Sequence, residues 1–327
     1  MSKSWKDALL GTGLPLEHDV KEYLKKRDCI ARFEYSYLRP DEHRVERQFS
    51  YDVDASLIRP PHFVDFMVEC KYRHPSVKWL FAPDEYGGPD ELEPNDFMHA
   101  MDHFVNIDFA HGGTFPRTLG PCCSKGVELT TEGANDKAIV QAISQLAFGF
   151  VSHVVDAIEH QVFRLLAGAF IFYHVPTIVT TARLYRLNDD VTIDMIRSAA
   201  EVEDVASEQD CLVLKYITGV ELRQYNLKAL QMLTASIGEK ALMGAIQTFT
   251  SDLGHLFDVL ANRLPQAVVV VSVADGWQAI DRLLRYVDAV LHPSSDLLGE
   301  IAAQRAQIQR RLDALGTKLS ARASSQP

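Results

Sequence analysis

Cysteine is scarce in this chain. Cys29, Cys70, Cys122, Cys123 and Cys211 are the five among 327 residues. The number is odd, two of them are adjacent and none has zinc-ligand spacing, so neither a disulfide scaffold nor a four-cysteine metal centre fits. A reducing, cytoplasmic setting is expected. Basic side chains are also in deficit, with 33 Lys and Arg against 44 Asp and Glu and a formal net charge of −11. That balance argues against a protein that coats nucleic acid through a broad basic surface, because non-specific DNA affinity comes largely from phosphate neutralisation. One local basic cleft is still compatible with it. Long apolar runs are missing: AGAFIFYHVPTIV and AVVVVSVA fall short of the ~20 residues that span a bilayer, and the first residues have no signal-peptide pattern. No membrane association is expected. GTGLP and EYGGPD lack the Gly-Lys-Ser/Thr ending of a phosphate loop, and no serine elbow follows HGG at 111–113. A nucleotide cofactor and acyl-transfer chemistry are therefore not expected, and no separate helix-turn-helix or zinc-finger reader stands out.

What is present is the pattern of a folded α/β chain, 47% apolar and long enough for one elaborated domain or two. Residues 14–27 place Leu16, Val20, Tyr23 and Leu24 at helical spacing, with Pro15 suited to a first turn. CIARFEYSYL at 29–38 has strand composition, and RPDEHR at 39–44 is a polar turn. Residues 48–58 alternate Phe49, Tyr51 and Val53 with Ser50, Asp52 and Asp54, which predicts a strand with both carboxylates on one face. After Pro60 and Pro61 a second strand is expected through Phe63 to Tyr72, with Asp65, Met67, Glu69 and Lys71 on one parity. Residues 83–132 are rich in Gly, Pro, Asp and His and read as a long insertion. A helical rhythm follows over 134–165, with a break expected near Gly149, then a hairpin or strand pair over 171–182 and a short strand at 211–214. Residues 221–264 are helical in pattern, 267–274 form a continuous apolar strand suited to mid-sheet, and two amphipathic helices close the chain.

The chemistry is concentrated in Asp54, Glu69 and Lys71. Two carboxylates converging from neighbouring strands can hold a divalent cation through hard oxygen ligands. Glu69 and Lys71 are two apart, so on a strand they point to one side, and the ammonium can sit beside a metal-bound water. That arrangement suits phosphodiester hydrolysis, with the lysine stabilising developing charge.

On these residues the chain resembles the restriction-endonuclease-like PD-(D/E)XK nuclease superfamily. The matching text is the helix LPLEHDVKEYL, the strands FSYDVDAS and VDFMVECKYR, and the helix AISQLAFGF before the strand TIVTTARLY. The likeness covers 14–82 closely and 135–187 loosely. It implies a core of helix, three strands, helix and strand: a mixed central sheet flanked by helices, here with the 83–132 insertion and C-terminal helical additions. It also implies a core region over 1–220 and an addition over 221–327, whose strand packs on or joins the core. Glu17 would be the helical acid, Asp54 the motif aspartate, Glu69 and Lys71 the E-x-K element, and Gln145 a polar residue of the second core helix. Asp54 and Glu69 would hold Mg2+, with Mn2+ able to substitute. No proline precedes Asp54, and Asp52 competes with it for the motif position.

The function expected from that resemblance is metal-dependent cleavage of DNA. The alternatives are a catalytically silent binding or assembly protein of the same fold, and a phosphodiesterase acting on RNA or a small phosphoester. Arg73 and Lys78, just past the E-x-K element, are candidate backbone contacts, and the C-terminal helices are candidate contacts of a homodimer. His99, His103 and His111, near Asp96, Asp102 and Asp108, form a weaker second metal candidate. Cys122 and Cys123 read as packing thiols.

Overall fold

The computed structural model describes all residues except 1–4, 41–42, 44, 85–92, 94, 106–114, 164–169, 248–251 and 324–327. Helices α1 (Trp5–Leu10) and α2 (Leu14–Lys25) precede strands β1 (Ile30–Pro40), β2 (Glu46–Arg59), β3 (His62–Lys71) and β4 (Lys78–Pro83). Then come β5 (Ala100–Met101), β6 (Cys122–Thr130), β7 (Gly133–Asn135), α3 (Lys137–Phe163), β8 (Ile171–Thr180) and β9 (Arg183–Leu187). Helix α4 (Ile193–Ser198), β10 (Ala206–Gln209) and β11 (Cys211–Lys215) lead into α5 (Val220–Ile237), α6 (Glu239–Ala245) and α7 (Leu253–Arg263). Strand β12 (Ala267–Ser272) and helices α8 (Gln278–Leu291) and α9 (Ser295–Ala323) follow.

The strands form one mixed sheet in the order β1-β2-β3-β8-β12-β11-β6-β4-β9-β10, with β5 on β8 and β7 on β6. Strands β1, β2 and β3 are successively antiparallel, β3 is parallel to β8, and β8 is parallel to β12. Helices cover both faces, which is why the middle strands are apolar on both parities. All six residues of β12 and all ten of β8 are buried. On one face Leu16, Val20 and Leu24 of α2 pack with Ile280, Leu283 and Val287 of α8. On the other, Ile139, Leu146 and Phe150 of α3 pack with Leu230 of α5 and Leu256 and Leu260 of α7. Helix α3 is long and apolar enough to cross a membrane, but most of that apolar stretch is buried inside the protein.

Several local expectations are corrected. Helix α3 runs unbroken through Gly149, where the missing Cβ makes room for the rings of Tyr37 and Tyr51 against the helix; a Cβ there would meet Tyr37 Cε1 at 3.1 Å. The hairpin or strand pair expected over 171–182 is one continuous strand, β8, and the next strand, β9, lies between β4 and β10. The segment read as an insertion contributes β6, which pairs with β11 and β4 inside the sheet. The alternation along β2 also breaks. Tyr51 faces α3 whereas Val53 faces α2. The β1–β2 ladder skips the position between Phe33↔Val53 and Tyr35↔Tyr51, where Glu34 takes a left-handed conformation (φ 51°). The two aspartates flanking Val53 consequently lie in different surroundings.

Strand β12 sits between β8 and β11. A chain ending at residue 219 would leave a buried edge of each half-sheet open to pairing with other chains. Such a truncated chain is expected to aggregate and to show no cooperative thermal transition by circular dichroism; a soluble, cooperatively melting 1–219 fragment would contradict this.

Candidate functional site

Helix α2 presents Glu17 in its first turn. Gly13 in a left-handed conformation precedes the helix, Pro15 occupies the start and Lys25 ends it, an arrangement that suits both the steric and dipolar preferences of helix termini. Its position is set by the buried Leu16, Val20 and Leu24 and by contacts to the C-terminal part of the chain. Tyr23 Oη donates to Asp281 Oδ2 at 3.0 Å, Arg27 Nε donates to Asp281 Oδ1 at 2.9 Å, and the Tyr23 ring stacks on Trp277. Residues beyond 220 therefore help to hold the helix that carries Glu17.

Strands β2 and β3 part next to this helix. Their ladder ends at Val53↔Val68, and beyond it the Cys70 backbone N–H donates at 2.7 Å to Asp52 Oδ2 instead of to a backbone carbonyl. Glu69 and Lys71, two apart on β3, both face α3. The Lys71 ammonium donates to Glu69 Oε1 and approaches Gln145 Oε1 at 3.4 Å, while Gln145 Nε2 donates to the Ser50 carbonyl at 3.0 Å. Glu17, Asp52, Glu69 and Lys71 all lie within electrostatic range of one another. Glu34, absent from the sequence-based set, joins them through its charge on Glu17 and Asp52.

The pKa shifts follow from this crowding. Burial first, then the Asp52 carboxylate, push Glu69 up to about 8, against the opposing pull of Lys71. Burial and the neighbouring acids raise Glu17, and burial raises Asp52. Glu69 Oε2 is buried and makes no hydrogen bond. An acidic cluster with a free, buried carboxylate oxygen is a donor set that suits a hard cation such as Mg2+.

Asp54 stands elsewhere. It is buried on the α3 side, where Arg32 Nε donates to its Oδ2 at 2.9 Å and Tyr51 Oη donates to its Oδ1 at 2.9 Å. The β2–β3 register pairs Asp54 with Met67, two residues short of Glu69, and it is Asp52, beyond the end of that ladder, that lies beside Glu69 and Lys71. Arg73 and Lys78 are also occupied. Arg73 is paired with Glu128, and Lys78 Nζ lies 3.1 Å from Glu203 Oε1 over the Tyr185 ring. Neither is brought to the acidic cluster.

A second group lies deeper on the α3 face. Asp65 and His174 are registered neighbours on the parallel strands β3 and β8, and α3 lays His153 over them. Asp65, His153 and His174 are all buried, and their ligand atoms lie within 4.8 Å of one another, so the cluster can hold a divalent cation. No local motif announces it, because its members come from three elements. The available signals were an aspartate on the parity of Glu69 and two histidines in otherwise apolar segments. The histidines singled out in the sequence behave differently. His99 is buried and shares its Nδ1 between the carbonyls of Phe97 and His174, while its Nε2 accepts from the Gln266 N–H at 2.8 Å. Burial lowers its pKa to about 3, so it stays neutral. His103 pairs with Asp102 at 3.1 Å, and His111 and Asp108 lie outside the described residues. The five cysteines are buried and unpaired, and burial pushes the Cys122 and Cys123 thiols up to about 11 and about 12, which makes them inert packing groups.

The raised pKa of Glu69 has a thermodynamic consequence. Between its ordinary value of 4.5 and about 8 the folded chain holds a proton there that the unfolded chain releases. Stability of the metal-free protein should therefore fall with rising pH across that window, by up to about 1.4 kcal/mol per pH unit from this group. Urea unfolding of Glu69→Gln against the parent, in chelator, should show this contribution missing. Equal slopes would mean that Glu69 is not buried as a protonated acid.

The chain matches no family model, no curated protein and no solved structure, so its own side chains carry the functional reading.

Proposed function

We propose that the protein is a divalent-metal-dependent hydrolase of phosphodiester bonds in DNA, acting through Glu17, Asp52, Glu69 and Lys71. The observation that carries this reading is the meeting of these four side chains, with Gln145, where β2 and β3 part. The element order supports it as well. Leaving aside β4 to β7, which the chain inserts between β3 and α3, the elements α2, β1, β2, β3, α3 and β8 follow the helix, three strands, helix and strand order of a PD-(D/E)XK core.

Glu69 and Asp52 are the residues that would hold Mg2+ or Mn2+. Their fit rests on the unpartnered Glu69 Oε2 and on the excess of carboxylates over the single lysine. A bound cation would polarise the phosphoryl group and lower the pKa of water. The chain's own groups would do the rest. The Cys70 N–H fixes one Asp52 oxygen and leaves the other for the site. Gln145, anchored on the Ser50 carbonyl, and Glu69 orient Lys71, whose ammonium stabilises charge developing on the phosphoryl oxygens. Glu17, an acid of raised pKa with no part in the lysine pair, suits the task of accepting a proton from the attacking water.

Cleavage of plasmid DNA in Mg2+ or Mn2+ should fall about 10²- to 10³-fold in Lys71→Ala, the scale for removing one group that stabilises transition-state charge. Asp52→Asn and Glu69→Gln should also abolish it, whereas Asp54→Asn, shown to be folded by its thermal transition, should retain it. Undiminished cleavage in Asp52→Asn and Lys71→Ala would refute the assignment. Parallel assays on RNA and on a small phosphodiester decide the substrate class. Carboxylate-dependent metal binding without cleavage of any of them would indicate a silent binding protein.

A further inference from the structure

Asp54, Tyr51 and Arg32 have no role in the site just proposed, yet they form an ordered chain of hydrogen bonds that ends on a histidine. Arg32 Nε donates to Asp54 Oδ2, Tyr51 Oη donates to Asp54 Oδ1 at 2.9 Å, and His153 Nε2 lies 2.6 Å from Tyr51 Oη. A phenol has one proton to give, and the ionised carboxylate can only accept it. The Tyr51 oxygen is therefore left to accept from His153 Nε2–H. This fixes the histidine tautomer and turns the other nitrogen, Nδ1, toward Asp65 Oδ2, 3.8 Å away. His174 Nδ1 lies 3.3 Å from the same oxygen, and Ser56 Oγ occupies the other Asp65 oxygen at 2.8 Å.

From this arrangement we propose that Asp65 Oδ2, His153 Nδ1 and His174 Nδ1 bind a borderline divalent transition-metal ion of the zinc type, as an internal brace joining β3, α3 and β8. The donor set, two imidazoles and one carboxylate, favours such an ion over Mg2+, which prefers oxygen. Donors about 2.0–2.1 Å from a tetrahedral ion stand roughly 3.3 Å apart; here Asp65 Oδ2 lies 3.3 Å from His174 Nδ1 and 3.8 Å from His153 Nδ1, and the ligand atoms of all three residues are within 4.8 Å of one another. His174 supplies a further sign, since it is wholly buried, its Nε2 has no hydrogen-bond partner, and its Nδ1 meets the Asp65 oxygen of the same cluster at 3.3 Å. Such orphaned nitrogens are rare in a protein interior, and a ligand is one of the few explanations for them. The Tyr51–Asp54–Arg32 chain has the form of the outer partners that orient metal-bound histidines. The site rests on neither Asp52 nor Glu69, so it stands or falls independently of the nuclease reading.

The test uses the full chain, stripped with chelator and titrated with Zn2+, in the parent and in an Asp52→Asn/Glu69→Gln background that removes the other acidic site. Both should take up one Zn2+ per chain with a rise in melting temperature, and Co2+ in its place should give the visible absorption bands of nitrogen and oxygen coordination. Asp65→Asn and His153→Gln should lose this ion. Tyr51→Phe, which keeps the ring but frees the His153 tautomer, should weaken binding about tenfold or more. If the ligand variants do not fold, the double-variant background decides by itself. Absence of Zn2+ uptake there would overturn the proposal and leave a buried imidazolium–carboxylate pair in its place. Binding by folded Asp65→Asn and His153→Gln equal to that of the parent would overturn it too.

Discussion

The parallel pairing of β3 with β8 is the constraint on which the rest depends. It runs in unbroken register from His62↔Ile171 to Lys71↔Thr180 and is covered on both faces by helices. Because side chains alternate along a strand, this one ladder places Asp65, Met67, Glu69 and Lys71 in a row under α3, with His174 beside Asp65. Sliding the register by one residue would send that whole polar row to the α2 face and its apolar core. Burial of β8 on both parities makes such a slip prohibitive, so the geometry of two distinct polar clusters is tied to the packing of one strand.

The clusters differ in chemistry because they sit at different places along β3. Glu69 and Lys71 are at the end where β2 leaves the ladder, and there Glu17, Glu34 and Asp52 can reach the same region from α2, β1 and β2. The result is an excess of hard oxygen ligands with one ammonium. Asp65, four residues earlier and roughly 13 Å away along an extended strand, lies beneath the middle of α3, where His153, His174 and Ser56 meet it. Water is excluded there, and imidazole nitrogen takes the place of further carboxylates. Asp54, read from sequence as the partner of Glu69, belongs to this second environment through Tyr51.

The C-terminal third is not an appendage in physical terms. Strand β12 completes the sheet between β8 and β11, and Asp281 on α8 holds Tyr23 and Arg27 of α2 in place. Glu17 thus owes its position to residues more than two hundred positions away in the chain. Arg73 and Lys78, proposed from sequence as DNA contacts, are ion-paired with Glu128 and Glu203, residues distant from them in the chain. Spacing near a motif says nothing about such distant partners.

Local periodicity was enough to determine which segments are strands and which helices around the site, that Glu69 and Lys71 project together, and that Glu17 opens a helix. These properties depend on neighbours within a turn or a pleat. Which aspartate joins Glu69 was not determined that way, because it depends on the inter-strand register, which pairs Asp54 with Met67 and leaves Asp52 beside Cys70 and Glu69. Gln145 was identifiable as a polar residue on a core helix, but its attachment to Lys71 depends on how α3 crosses the sheet. The Asp65–His153–His174 cluster was invisible for a more general reason. Its three residues come from β3, α3 and β8, and only the tertiary packing of a helix over two paired strands brings their ligand atoms within 4.8 Å.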